Sequence, residues 1–154
     1  MTFDGTNKYY SVVPVTDLAN VPTTLRVLDA HTGAIDSVAV GAVGIGNIEL
    51  GAVQNHLFAT SIAGGVRLLS IDPTSGAPTT KATFANLDHA LATAASYDPQ
   101  THRYFFVGGS SFPQGGSAWT SGNQIFTVDA ETGHTLASPT VASTQTILNL
   151  RYAP

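Results

Sequence analysis

The sequence contains one pattern three times, and this repeat constrains the fold more than any other feature. In each copy a short run of alternating apolar residues leads into Asp-x-x-Thr/Ser-Gly, and a second alternating run follows. The copies lie at residues 25–33, 66–76 and 125–133. The aspartate can accept hydrogen bonds from backbone amides two residues further on, and the glycine can adopt the left-handed conformation that closes a hairpin. Each copy therefore predicts a β-hairpin rather than a helix.

A second pattern alternates with the first. Residues 96–107 read Ser-Tyr-Asp-Pro-Gln-Thr-His-Arg-Tyr-Phe-Phe-Val, and residues 2–12 resemble them closely, whereas residues 51–59 resemble them more weakly. The two patterns together predict four strands per repeat. Strand A leads through an Asp-Pro or Asp-Gly turn to strand B, and strand C leads through the Asp-x-x-Thr/Ser-Gly turn to strand D. The predicted A strands are residues 47–53, 89–97 and 146–152.

The Tyr-Asp-Pro opening and the Val-Asp-x-x-Thr-Gly turn resemble the repeats of YVTN-type and PQQ-type β-propellers. The resemblance implies an all-β, propeller-like fold of about three four-stranded antiparallel blades, which is half a propeller or a fragment of one. The whole chain is then a single domain with blades at 1–44, 45–88 and 89–145, and residues 146–154 form a terminal strand that closes a blade. The alternative is a β-sandwich of short hairpins, which does not require similar repeats at similar spacing.

Three blades raise the question of closure, because closed propellers have about four to eight. Two solutions stay open. Two copies can form a homodimer of six blades, in which each terminal strand completes the first blade of the partner. Alternatively, another chain or a further segment supplies the missing blades. Two-fold dimers are the commonest oligomers, which favours the first solution.

Composition and charge exclude several classes of partner. The net charge is −4, and the six basic residues are scattered along the chain. Nucleic acids and anionic membrane surfaces both require clustered basic residues, so neither is expected as a partner. The chain has no cysteine, which excludes disulfides and thiolate metal sites. Charged residues make up only 10%, against roughly 25% in ordinary soluble domains. That low fraction favours an extracellular or cell-envelope setting, although the compartment stays open.

The sequence offers little support for an enzyme. It lacks the Gly-x-Ser-x-Gly, phosphate-loop and His-Glu-x-x-His patterns, and no two of its five histidines have metal-ligand spacing. A turn role explains the repeated aspartates, so no catalytic residue and no metal are predicted. The quinoprotein relatives implied by the resemblance carry a tryptophan in each repeat. This chain has a single tryptophan, so no quinone or other cofactor is expected.

Two regions are candidates for binding. The insertion at residues 108–123 combines aromatic and amide side chains, which suits a sugar or a peptide: Trp119, Phe112, Gln114 and Asn123. Strand A lines the central channel of a propeller, so its polar residues could hold water, an ion or a small ligand: His89, Glu49 and Asn149. We therefore predict a non-catalytic binding or assembly module. The alternatives are a carbohydrate-binding, lectin-like propeller and an enzyme with its site in the central channel.

Overall fold

The computed structural model describes residues 2–4, 6–13, 22–51, 56–87, 89–109, 124–141 and 150. Within these residues the chain forms twelve β-strands and no helix. The described part of the chain thus contains no helix that is long and apolar enough to cross a membrane. The prediction of an all-β fold is confirmed.

The strands form three antiparallel sheets of four, each built from consecutive strands in chain order, and we call these sheets blades 1, 2 and 3. Blade 1 contains β1 (Thr2–Phe3), β2 (Lys8–Val12), β3 (Pro22–Asp29) and β4 (Ile35–Val43). Blade 2 contains β5 (Ile45–Leu50), β6 (Leu57–Ser61), β7 (Val66–Ile71) and β8 (Pro78–Phe84). Blade 3 contains β9 (His89–Asp98), β10 (Arg103–Gly109), β11 (Gln124–Asp129) and β12 (Thr135–Ala137). The four-strand order predicted from the repeats is the order observed.

The core lies between successive blades rather than inside one sheet. One buried cluster joins blades 1 and 2 and includes Tyr10, Leu25 and Leu57. A second joins blades 2 and 3 and includes Phe58 and Tyr104. Successive residues of a strand point to opposite faces, so neighbouring residues of β6 enter different clusters. This explains why β6 is buried along its whole length.

Aromatic rings dominate the cluster between blades 2 and 3. Phe106 and Phe126 stack with ring centroids 4.9 Å apart, and Phe84 of blade 2 meets Phe106 edge-on at 5.0 Å. Such pairs contribute about 0.5–1.5 kcal/mol beyond the area they bury. The junction of these two blades is therefore held by specific ring contacts as well as by burial.

The predicted A strands can be compared with the first strand of each observed blade, and two of them overlap it: 47–53 overlaps β5 and 89–97 overlaps β9. The alanine-rich stretch before Tyr97 forms part of β9 rather than a helix. The third predicted A strand, residues 146–152, lies outside the described residues. In blade 1 the first strand β1 has two residues, which pair with Tyr9 and Tyr10 of β2.

Candidate functional site

The three Asp-x-x-Thr/Ser-Gly segments form the same turn between the third and fourth strands of each blade. Oδ1 of Asp29, Asp72 and Asp129 accepts hydrogen bonds from the backbone amides two and three residues further on, at 2.8–3.0 Å. These bonds, with that of the third residue foremost, hold the pKa of all three carboxyl groups below its usual range. The turn geometry therefore accounts for the repeated aspartates.

The turn between the first and second strands is built in a related way. Oδ1 of Asp4 accepts hydrogen bonds from the amides of Thr6, Asn7 and Lys8, each at 2.9 Å. Desolvation raises the pKa of Asp4, but these bonds, that of Lys8 foremost, outweigh it and lower the pKa to about 2. In blade 3 Oδ1 of Asp98 accepts from the amide of Gln100 at 2.9 Å.

The two turns of a blade are also joined to each other. The amide of Ala30 donates to the carbonyl oxygen of Asn7 at 2.7 Å, and the amide of Ala130 donates to that of His102 at 2.9 Å. His102 has a φ of 56°, and its Nδ1 lies 3.1 Å from the hydroxyl oxygen of Tyr97. In blades 1 and 3 the two turns at this end of the blade are thus joined by the same backbone hydrogen bond.

The Asp-x-x-Thr/Ser-Gly turn also makes the contact between one blade and the preceding one. A Cβ atom at Gly76 would overlap the carbonyl oxygen of Ala39 in β4, and a Cβ at Gly133 would overlap that of Lys81 in β8. Nζ of Lys81 donates to the carbonyl oxygen of Glu131 in the same turn, at 3.1 Å. Glycine is therefore required here by a close approach as well as by its φ of 72° or 77°. Gly33 has the same φ of 72°, but a Cβ there would meet nothing within 4 Å.

Next to these turns, residues that pair directly across the strands of a blade form a row of side chains. This row faces the preceding blade. In blade 3 the row contains Tyr97, Tyr104 and Val128, which pair across β9, β10 and β11 and are 6%, 0% and 0% exposed. In blade 2 the equivalent residues Leu57 and Ile71 also pair directly and are buried. In these blades the row is thus buried on the second and third strands, whereas its fourth-strand member in blade 3, Thr135, is exposed.

Blade 1 carries the same row on an open face. The register pairs Phe3 with Tyr9, Tyr9 with Leu28 and Leu28 with Ile35, and we call these four residues the blade 1 row. Phe3 is 42% exposed and Ile35 is 61% exposed, while Tyr9 and Leu28 are half-buried. The rings of Phe3 and Tyr9 stack at 4.5 Å. The blade 1 row and the turn of Gly33 together form an apolar candidate interaction surface.

The opposite end of the blades carries a cleft of about 440 Å³ between blades 2 and 3. Its lining combines two aromatic rings with hydroxyl and amide groups: Phe84, Phe126, Thr83, Ser138, Asn86 and Gln124. Gln124 begins β11 directly after the predicted binding loop. One lining residue of the cleft, Gln124, therefore directly follows in the sequence the loop that was predicted to bind a ligand.

The residues predicted from the sequence fall into two groups. Trp119, Phe112, Gln114, Asn123 and Asn149 lie outside the described residues. Glu49 pairs with Phe58 near the last residue of β5, whereas His89 begins β9 and pairs with Gly109. The two therefore sit towards opposite ends of their strands, and a channel-lining role for either stays a prediction.

Glu49 has an electrostatic neighbour that the sequence did not indicate. Burial foremost, and then the charge of Glu49, raise the pKa of the Tyr104 hydroxyl above its usual range. Tyr104 belongs to blade 3, so Glu49 acts at the junction of blades 2 and 3. In the described part of the chain, no three His, Asp or Glu side chains lie together as metal ligands would.

Sequence reasoning missed the blade 1 row. Its signal was present, because Phe3, Tyr9, Leu28 and Ile35 are all apolar. Their alignment across four strands depends on the register, however, and the separation of Phe3 from Ile35 along the chain hides it.

Comparison with known proteins supports the architecture. No known protein family matches the chain, and no curated protein matches its sequence. Among solved structures it is similar to TolB from Acinetobacter baumannii, a β-propeller protein, with a TM-score of 0.54 and 17% sequence identity. The match covers 86% of this chain and 30% of the TolB chain. The chain therefore has a propeller-like fold, as predicted, and spans under a third of that protein.

Proposed function

We propose that this chain is a non-catalytic interaction module that completes a propeller ring by self-association. One observation carries the proposal. The first three residues of the blade 1 row are half-buried or exposed, with Phe3 at 42%, while their equivalents in blade 3, Tyr97, Tyr104 and Val128, are buried against the preceding blade. Blade 1 therefore presents a face that elsewhere in the same molecule receives another blade.

The energetics favour covering this face. Burying a Phe, Leu or Ile side chain contributes about 1.5–3 kcal/mol relative to leaving it in water. Phe3 and Ile35 are the most exposed members of the blade 1 row, and they lie on a sheet that the turns of Asp4 and Asp29 hold in place. Association that covers them gains this burial with little ordering of the blade itself.

The solution mass tests the proposal. Light scattering on a sizing column should give twice the 15.9 kDa of one chain. Phe3→Asp should shift the mass to that of a single chain, because it places a charge where the equivalent residue of blade 3, Tyr97, is buried at the internal junction. Thr79→Asp is the matched control, since Thr79 is an exposed strand residue in blade 2. A single-chain mass for the unmodified protein at all concentrations contradicts self-association.

The cleft between blades 2 and 3 favours carbohydrate binding as a second function. Sugars are recognised by aromatic faces and by amide groups that exchange hydrogen bonds with hydroxyls, and the cleft offers Phe84, Asn86 and Gln124. The predicted loop residue Trp119 precedes Gln124 in the sequence by five positions.

A glycan array tests this second function. A specific hit should be lost in Trp119→Ala and weakened in Gln124→Ala, while Thr79→Ala keeps it. Binding that survives Trp119→Ala would exclude the loop as the sugar site.

A further inference from the structure

The two junctions inside the chain indicate what covers the blade 1 row. We infer that the occupant is blade 3 of a second copy, docked on blade 1 in the way that blade 1 docks on blade 2 and blade 2 on blade 3. This inference rests on the proposed self-association and specifies its contacts.

The aromatic contact between blades 2 and 3 identifies one pair. Phe58 of blade 2 stacks on Tyr97 of blade 3 with ring centroids 5.4 Å apart. Phe3 is the register equivalent of Tyr97, because each pairs with the first tyrosine of the following strand. Phe105 is the equivalent of Phe58, because the residues directly before them, Tyr104 and Leu57, hold the same register position on the second strand of their blades. Phe105 is half-buried. Repetition of the internal junction therefore places Phe105 of one copy against Phe3 of the other.

The turn contact identifies a second pair. Gly76 lies on β4 of blade 1, and Gly133 lies on β8 of blade 2. In the dimer, the turn of Gly33 would therefore contact the outer strand of blade 3 of the second copy. That strand is formed by β12 and residues 138–140. All three residues of β12 are exposed, and so are residues 138–140. The space around Gly33 and the open strand β12 are thus the two halves of a contact that the chain already makes twice.

These halves lie on one chain, and that favours a second copy over an unrelated partner. Two copies that exchange the contact in both directions form two identical junctions around a two-fold axis. The product has six blades, within the range of closed propellers. Both blade 1 rows are then covered, so association ends at the dimer rather than continuing into a fibre.

The absence of cysteine from the chain permits a clean crosslinking test. Thr32 in the turn and Ser138 after β12 are both exposed. Thr32→Cys and Ser138→Cys are purified separately, mixed, and treated with a short bifunctional maleimide. We expect a covalent dimer from the mixture and none from Thr32→Cys alone. Thr32→Cys mixed with Thr79→Cys is the control, because Thr79 lies on an outer strand of the wrong blade.

A double-mutant cycle tests the aromatic pair. Phe3→Ala and Phe105→Ala should each weaken dimerisation, and the combined variant should lose about 5- to 150-fold less affinity than the product of the single effects predicts, because the pair occurs twice in each dimer. Thermal unfolding at low concentration checks that each variant still folds.

The outcomes separate the two proposals. A dimer that shows the crosslink and the coupling supports the docking of blade 3 on blade 1. A dimer that shows neither overturns this docking and leaves self-association standing. A single-chain mass at all concentrations overturns both.

Discussion

Blades 1 and 3 share a register and a pair of turns, yet they differ in what covers the same face. Tyr97 in blade 3 is 6% exposed, whereas its equivalent Phe3 in blade 1 is 42% exposed. The strands of both blades alternate in the same way, so the sequence of a blade does not reveal which of its apolar faces is buried. The neighbouring blade decides that, and a comparison of equivalent residues shows where a neighbour is absent from the described structure.

The glycines of the turns also differ in their surroundings although their local conformation is the same. Gly33 and Gly133 have φ values of 72° and 77°, so each turn has the same local requirement. Only at Gly133 does the backbone of another blade leave no space for a Cβ atom. One residue type therefore serves the turn in blade 1 and both the turn and the junction in blade 3.

The largest expected effect comes from removing equivalent aromatic rings. Tyr97→Ala should lower the free energy of unfolding by about 3–5 kcal/mol, because it leaves a cavity against Phe58. Phe3→Ala should cost less than about 1 kcal/mol in the dissociated chain, because the ring is partly solvated already. Urea unfolding at concentrations that give the single-chain mass measures both values. Equal losses of stability would contradict the difference in burial between Tyr97 and Phe3, since they would mean that the blade 1 row is covered within one chain.

The glycine pair gives the next largest effect. Gly33→Ala and Gly133→Ala both place alanine in the left-handed region, which costs about 1–2 kcal/mol. Gly133→Ala should cost about 1–3 kcal/mol more, because its Cβ must displace the backbone at Lys81. Chemical denaturation of the two variants in parallel gives the difference. A Gly33→Ala loss as large as that of Gly133→Ala would show that the turn of blade 1 is also packed against backbone.

A smaller effect should follow from the side-chain bond across the junction. Lys81→Met removes the hydrogen bond to the carbonyl oxygen of Glu131 and keeps most of the apolar stem. The expected loss is about 0.5–1.5 kcal/mol. Lys8→Met is the control, because Lys8 is an exposed lysine in blade 1. Lys81→Met should have a lower thermal midpoint than Lys8→Met. Identical midpoints would show that the bond from Lys81 does not stabilise the junction.

The last effect is a loss of stability in acid, which is reduced because solvent screens the charge of the surface turn of Asp4. Asp4 has a folded pKa of about 2, below the roughly 3.9 of an unfolded aspartate. A lowered folded pKa contributes stability that is present above about pH 4 and is lost as the pH falls towards 2. Asp29, Asp72 and Asp129 shift in the same direction. Asp4→Asn should therefore flatten the dependence of stability on pH between about 4 and 2, as followed by denaturant midpoints. If the slope of stability against pH did not change in Asp4→Asn, the hydrogen bonds from Thr6, Asn7 and Lys8 would not be what lowers the pKa of Asp4.

The hairpins, the four-strand order and the all-β class could be predicted from the sequence. These features depend on interactions between residues close in the chain, such as the carboxylate of Asp29 and the amides of His31 and Thr32. Such interactions leave a readable spacing. The same reasoning placed the candidate ligand residues Trp119 and Glu49 in a loop and on an inner strand, but it could not say what surrounds them.

Which faces are covered follows from the packing of the blades. That packing places Gly76 against Ala39, Gly133 against Lys81 and Phe58 against Tyr97. Each of these contacts joins residues from different blades, so its geometry depends on the register of two sheets and on the distance between them. Burial is a property of that packing, and a repeat whose apolar residues alternate in the same way in each blade cannot encode it locally.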